Sequence, residues 1–165
     1  RQDRFEVRID HGFDRIIEAC AASRPGRRGT WINSQIVSLY RRLYEMGHCH
    51  TIECWHGGRL AGGLYGVHLG AAFFGESMVS FERDASKVAL VHLVGRLIRG
   101  GFKLLDTQFI TEHLRQFGTV EIERTEFQKL LEPAVRGQAD FSALAPATSG
   151  AEILAIIAAA QSDPA

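Results

Sequence analysis

Polar and apolar residues alternate at the front of the chain. Phe5, Val7 and Ile9 are separated by Glu6 and Arg8, the period of a short strand with one buried face. From Phe13 to Ala22 the period lengthens, and Phe13, Ile16, Ile17 and Cys20 form one face of a helix. Arg24-Pro25-Gly26-Arg27-Arg28-Gly29 breaks the pattern and reads as a loop. Thr30 is the expected cap of a second helix, with Ile32, Ile36, Leu39, Tyr40 and Leu43 as its buried stripe and Gly47 as its stop.

Strand periods return at His50 to Trp55. Gly57-Gly58 signals a hairpin into a strand from Arg59 to Val67, and Ala72 to Met78 completes a meander. Asp84 is the expected N-cap of a long helix reaching about Arg99, which Gly100-Gly101 stop. Lys103 to Asp106 reads as a strand, Glu112 to Phe117 as a short helix and Thr119 to Ile122 as another strand. Thr125 is expected to cap a helix through Leu131. An Ala- and Pro-rich loop then leads to an Ala-rich helix near Ala151 to Ala160, in a tail expected to pack loosely. These elements define an α+β class with a mixed, largely antiparallel sheet flanked by helices. Their order is similar to the GNAT acyltransferase fold. Residues 1–135 form the expected domain and 136–165 a variable tail.

Composition narrows the classes. The 165 residues suit one domain with its own core. Zero net charge argues against coating nucleic acid by bulk charge, although residues 1–50 hold nine arginines against six carboxylates. That excess fits either a local basic patch or ordinary scatter on a solvated surface. Three cysteines without CxxC spacing imply reduced thiols and a cytoplasmic setting. No apolar run reaches about 18 residues, so no membrane span is expected.

Most chemistry-bearing residues have ordinary explanations. His50, Cys54 and His56 share a strand face in principle, but three zinc ligands on one strand are unusual, and no metal or cofactor is expected. The glycines from Gly57 to Gly70 fit neither GxxxxGK[ST] nor GxGxxG and suit turns and close strand packing. Cys49 and Cys54 lack a helix N-terminus or an orienting group that would make a nucleophile. Ser77 and Ser80 lack a GxSxG elbow. Glu76, Asp106 and Gln108 differ. They follow the apolar runs Phe73-Phe74-Gly75 and Leu104-Leu105, so a rigid strand end presents each group. Two readings stay open: a proton-handling site, or carboxylates capping nearby turns.

Several segments together resemble the bacterial leucyl/phenylalanyl-tRNA–protein transferase family. They are Gly29-Thr30-Trp31-Ile32, Gly47-His48-Cys49-His50-Thr51-Ile52-Glu53-Cys54-Trp55, and Leu60-Ala61-Gly62-Gly63-Leu64-Tyr65-Gly66-Val67. Phe73-Phe74-Gly75-Glu76-Ser77-Met78, Asp84-Ala85-Ser86-Lys87 and Leu105-Asp106-Thr107-Gln108 follow in family order, over roughly residues 5–131. The resemblance implies a GNAT-like domain that uses aminoacyl-tRNA in place of acyl-CoA. It implies transfer of Leu or Phe, with Met a third candidate, onto proteins with an N-terminal Arg or Lys, creating a degradation signal. It implies a monomer that needs no cofactor.

By family position, Asp106 and Gln108 accept or relay the proton of the attacking amine. Glu76 helps place the amino acid or the acceptor's cation, and the resemblance does not separate the two. Leu64, Phe73, Met78, Leu90, Leu93 and Leu105 are the implied walls of the amino-acid pocket, with ordinary core as the alternative for Leu90 and Leu93. Trp31 is implied to stack on the terminal adenosine, and Arg24, Arg27 and Arg28 to meet tRNA phosphates. Family members carry a smaller N-terminal domain that these residues do not include, and the tail after about Leu131 matches poorly. Two other classes remain on this reading: a GNAT-type N-acyltransferase with a different donor or acceptor, and a non-catalytic binding module.

Overall fold

The computed structural model describes residues 4–22, 30–108 and 112–162. Its elements are β1 (Glu6–Ile9), α1 (Phe13–Ala21), α2 (Ser34–Glu45), β2 (Cys49–His56), β3 (Arg59–Leu69), β4 (Ala72–Ser80) and α3 (Ala85–Arg99). They continue with β5 (Leu104–Asp106), α4 (Glu112–Arg115), α5 (Arg124–Arg136) and α6 (Gly150–Ser162). The strands form one sheet in chain order, antiparallel from β1 to β4 and parallel between β4 and β5. The α+β class with a mixed, largely antiparallel sheet is therefore borne out. Gly57 and Gly58 turn the β2–β3 hairpin at φ 56° and 76°, a left-handed pair that residues with a Cβ adopt poorly.

Alternation divides the sheet into two apolar faces. Ile52, Cys54, Leu64 and Phe73 pack against Ala89, Leu90, Leu93 and Leu97 of α3. Cys49, Tyr65 and Val79 face the other way, against Phe13, Ile16, Ile17 and Cys20 of α1. Burying a side chain such as Ile16 or Ile17 completely is worth about 1.5–3 kcal/mol. One buried carboxyl group ties the α1 layer to the sheet. Glu53 accepts hydrogen bonds from His11 N (3.0 Å), Gly12 N (2.6 Å), Thr51 Oγ1 (2.8 Å) and Trp55 Nε1 (3.0 Å).

Several expected boundaries are corrected. Asn33, not Thr30, caps α2, its Oδ1 accepting from Ile36 N at 2.9 Å, while Thr30 closes a turn to Ile32 N. The expected α2 stripe is not fully buried, and Leu39 is exposed. Asp84 does stand at the α3 N-cap, but with φ 67° and ion pairs to Lys87 and Arg83 in place of a side-chain cap. Thr119–Ile122 is not a strand. Its apolar residues are exposed, Val120 by 73%, and it pairs with none of the described strands. Helix α5 starts at Arg124 behind Glu123 instead of Thr125, and continues past Leu131 through Pro133. The predicted loop at 24–29 lies outside the described residues.

The tail packs closely, against expectation. Phe141 stacks on His50 with ring centroids 3.9 Å apart, and on Phe73 at 5.8 Å. Buried Arg96 of α3 donates to the carbonyls of Leu144 (2.8 Å) and Ala145 (2.5 Å). Ile153 of α6 is fully buried over Gly95, where a Cβ would come within 2.8 Å of its Cγ2. Small-residue contact, invisible in an Ala-rich pattern, is what seats this helix.

Candidate active site

A single extra residue aims the first carboxylate. Between β3 and β4, Tyr65 pairs with Ser77 but Gly66 pairs with Gly75, leaving Glu76 as the bulge. Phe74 and Glu76 both line a pocket on the α2 side. Without the bulge Met78 would face that side too. Instead Met78 packs against the α3 cluster and Val79 takes the α1 side. A bulge thus flips the phase of the strand and re-aims one side chain. Gly66 permits it, because a Cβ there would run into the Phe73 ring and the Phe74 carbonyl.

The register of β5 brings in the second carboxylate. Asp106 pairs with Phe74 in the parallel ladder, so its side chain projects from the pocket face, as Phe74 does. The ladder stops there, while β4 runs on to Ser80. Asp106 Oδ1 accepts from Gln108 N at 2.9 Å, closing an Asx turn that holds Gln108 at φ 62°. Such a φ costs a residue with a Cβ of order 1–2 kcal/mol and is commonly retained at functional sites.

The pocket has a volume of about 480 Å³ and is lined by Trp31, Ile36, Leu39, Tyr40, Leu43, Val67, Phe74 and Glu76. This is the size of a small-molecule site. The apolar stripe of α2 expected to be core is in fact one of its walls. Trp31, 46% exposed, stands at its edge and meets Tyr40 in an edge-to-face contact with centroids 6.4 Å apart. Tyr40 in turn meets Tyr65 at 5.2 Å. Burial and then the Glu76 carboxylate push the Tyr40 phenol above its ordinary value, so it remains a donor. Sequence reading took Tyr40 only as a stripe residue. Its signal was a polar tip within an otherwise apolar stripe.

The structure gathers the predicted residues into two groups. Trp31 and Glu76 share the pocket, with Asp106 on the same sheet face and Gln108 two residues beyond. Leu64, Phe73, Leu90 and Leu93 belong to the packed cluster on the opposite face, where Met78 and Leu105 also pack. Leu105 additionally lines a 170 Å³ pocket with Val94, Leu97, Ile98, Phe102, Lys103 and Leu104. Arg24, Arg27 and Arg28 lie outside the described residues. The metal-like trio disperses: His50 meets Asp10 and His68, the Cys54 thiol donates to Ala85 O, and His56 meets Glu82. Burial pushes the Cys49 and Cys54 thiols up to about 12, so neither is a thiolate at neutral pH.

An aromatic-walled pocket with one carboxylate in its wall and another on the same face is the layout of an enzyme. It suits a partly apolar ligand beside a proton acceptor. A family model described as leucyl/phenylalanyl-tRNA protein transferase matches residues 1–132. The leucyl/phenylalanyl-tRNA–protein transferase of Nitrobacter winogradskyi is 59% identical over 160 residues, covering 96% of this chain and 71% of the relative. The enzyme of that name from Phenylobacterium zucineum is 60% identical over 159 residues, covering 94% and 72%. That of Caulobacter vibrioides is 57% identical over 160 residues, covering 97% and 74%. The chain therefore belongs to the leucyl/phenylalanyl-tRNA protein transferase family of aminoacyltransferases. The expected departure after Leu131 holds for the family model, which stops at 132, but not for these relatives, which align over nearly the whole chain. Among the described residues, no helix is long and apolar enough to cross a membrane.

Proposed function

We propose that this chain transfers Leu or Phe from aminoacyl-tRNA to the α-amine of proteins that begin with Arg or Lys, marking them for degradation. Family membership supports the reaction class. The single observation carrying the site assignment is that Trp31, Glu76 and Asp106 occupy one face where the β4–β5 ladder ends. The donor is an activated ester, so the enzyme must hold two substrates in line and manage one proton. The terminal adenosine stacks on Trp31 against the apolar wall of α2, a contact worth about 1–3 kcal/mol. Asp106, with the Gln108 amide beside it, takes the proton of the attacking amine. The Leu or Phe side chain passes the end of the β4–β5 ladder to the opposite face, where the partly buried Met78 and Leu105 form the rim of the cluster that also holds Leu64, Phe73, Leu90 and Leu93. A Met there suits two side-chain shapes. Arg24, Arg27 and Arg28 meet the tRNA backbone.

The test incubates the chain with labelled Leu-tRNA or Phe-tRNA and peptides starting in Arg, Lys or Ala. Label is expected on the Arg and Lys peptides alone. Absence of transfer to the Arg peptide removes the assignment.

Replacing Gln108 with Gly separates its backbone from its amide. Relief of the left-handed φ offsets the added chain entropy, so urea unfolding is expected to shift by less than about 1 kcal/mol. Transfer is expected to fall by about tenfold or more, because the amide is gone. Wild-type turnover in this variant would show that only the turn matters.

A further inference from the structure

The tail reaches the α3-side cluster through one aromatic ring. Phe141 is buried in the cluster that holds Phe73, Leu90 and Leu93, although it lies beyond the residues 1–132 that match the family model. Its ring is parallel to Phe73 within 15°, with centroids 5.8 Å apart, and meets Phe102 edge-on at 6.4 Å. It also stacks on His50 at 3.9 Å. Both nitrogens of that imidazole are engaged: Nδ1 donates to Asp10 Oδ2 (2.8 Å) and Nε2 meets His68 Nδ1 (3.1 Å). The run that first suggested a metal thus supplies a fixed platform for an aromatic ring. The chain on either side of Phe141 is tied to the end of α3. Asp140 N donates to Gly100 O (3.0 Å), and Arg96 donates to the carbonyls of Leu144 and Ala145.

Phe73 has little freedom of its own. It is completely buried, and its ring lies over Gly66, where even a Cβ would not fit. Leu105, on the rim of the cluster, is its partner in the β4–β5 ladder, so Phe73 is the next side chain inward from the rim. We propose that Phe141 is a specificity-determining residue: it backs Phe73 and so sets how deeply the side chain of the donor's amino acid enters the cluster. This rests on the transferase reading above. A group entering past Met78 and Leu105 presses on Phe73, and a close-packed interior passes that strain to the ring behind it. Because Phe141 is held by His50 and by the two ties to α3, Phe73 does not yield. Depth of this kind separates Leu from Phe, since one methylene in an apolar pocket is worth about tenfold or more in discrimination.

The experiment replaces Phe141 with Leu, which fills less space behind Phe73, and with Trp, which fills more. Each protein is titrated calorimetrically with two hydrolysis-resistant probes, 3′-leucylamido-adenosine and 3′-phenylalanylamido-adenosine. The ratio of the two Kd values is the readout. A purely structural role lowers the competent fraction, which weakens both probes by the same factor and leaves the ratio unmoved. Phe141→Leu is expected to shift the ratio about tenfold towards the phenylalanyl probe, and Phe141→Trp to shift it towards the leucyl probe. If the Trp variant does not fold, Phe141→Leu decides alone. A wild-type ratio in Phe141→Leu, or a shift towards the leucyl probe, overturns the proposal, while binding of both probes leaves the transferase reading standing. Binding of neither probe by the wild-type chain overturns both.

Discussion

Replacing Asp106 with Ala is expected to lower the single-turnover rate of transfer by about 100-fold or more, the usual size of a lost general base. An α-amine has a reference pKa of about 7.7–8.0, so most acceptor N-termini are protonated at neutral pH and cannot attack. A carboxylate on the reacting face takes that proton, whereas water at the same position is a far weaker acceptor. Stability moves much less. Asp106 is only partly buried, and among the described residues the hydrogen bond that Ala removes is the one from Gln108 N at 2.9 Å, worth about 1 kcal/mol. For a chain of this length, 1 kcal/mol shifts Tm by about 2–4 °C. Asp106→Asn sharpens the test. Asn keeps the Asx turn and should melt like wild type, yet it should lose nearly as much rate because it carries no base. Wild-type turnover in Asp106→Ala would remove Asp106 from the mechanism, and full activity in Asp106→Asn would reduce it to a turn residue.

The residues of this site were legible, and their arrangement was not. Glu76 and Asp106 stood out because each follows an apolar run, although Glu76 sits inside β4 and only Asp106 ends its strand. That they share a face depends on the bulge opposite Tyr65 and on the pairing of Asp106 with Phe74, neither of which leaves a local mark. The same limit explains α2. Its stripe of Ile36, Leu39, Tyr40 and Leu43 has the helical period, but period reveals which residues share a face and not what that face meets. Here it meets a cavity. Thr119–Ile122 fails in the opposite direction, since Val120 and Ile122 alternate like a strand while none of the described strands pairs with them. Two helix caps were misjudged because Thr30 and Thr125 are good capping types while Asn33 and Glu123 hold those positions, whereas Asp84 does stand at the α3 N-cap. By contrast the extent of the meander strands was readable to within two residues, because Gly57-Gly58 fixes the first turn, while the register shifts at Cys54/Trp55 and Tyr65/Gly66 were not.

Glu53→Ala is expected to be the most destabilising single substitution considered, at about 3–5 kcal/mol. Glu53 lies in the His-Thr-Ile-Glu-Cys-Trp run that first suggested metal chemistry, and it is completely buried. Its Oε1 accepts from His11 N, Gly12 N and Thr51 Oγ1, and its Oε2 from Trp55 Nε1. Gly12 comes so close that a Cβ would lie 3.2 Å from Oε2, leaving little room for water to replace the carboxyl group. Removing it strands two backbone amides at the start of α1, a hydroxyl and an indole N–H in one dry site. Helix α1 holds the sheet face that carries Tyr65, so loosening its start also slackens the support of Tyr40. A fall in Tm of roughly 10 °C is expected. Glu53→Gln should be milder, at about 1–2 kcal/mol: the amide oxygen still serves the three donors on Oε1, and only the Trp55 N–H meets an N–H in place of an acceptor. Urea unfolding of both variants checks the order. Equal losses would mean that the bond to Trp55 alone carries the site, and wild-type stability in Glu53→Ala would mean that the loop from Asp10 to Gly12 is held by its backbone bond to Thr51 instead.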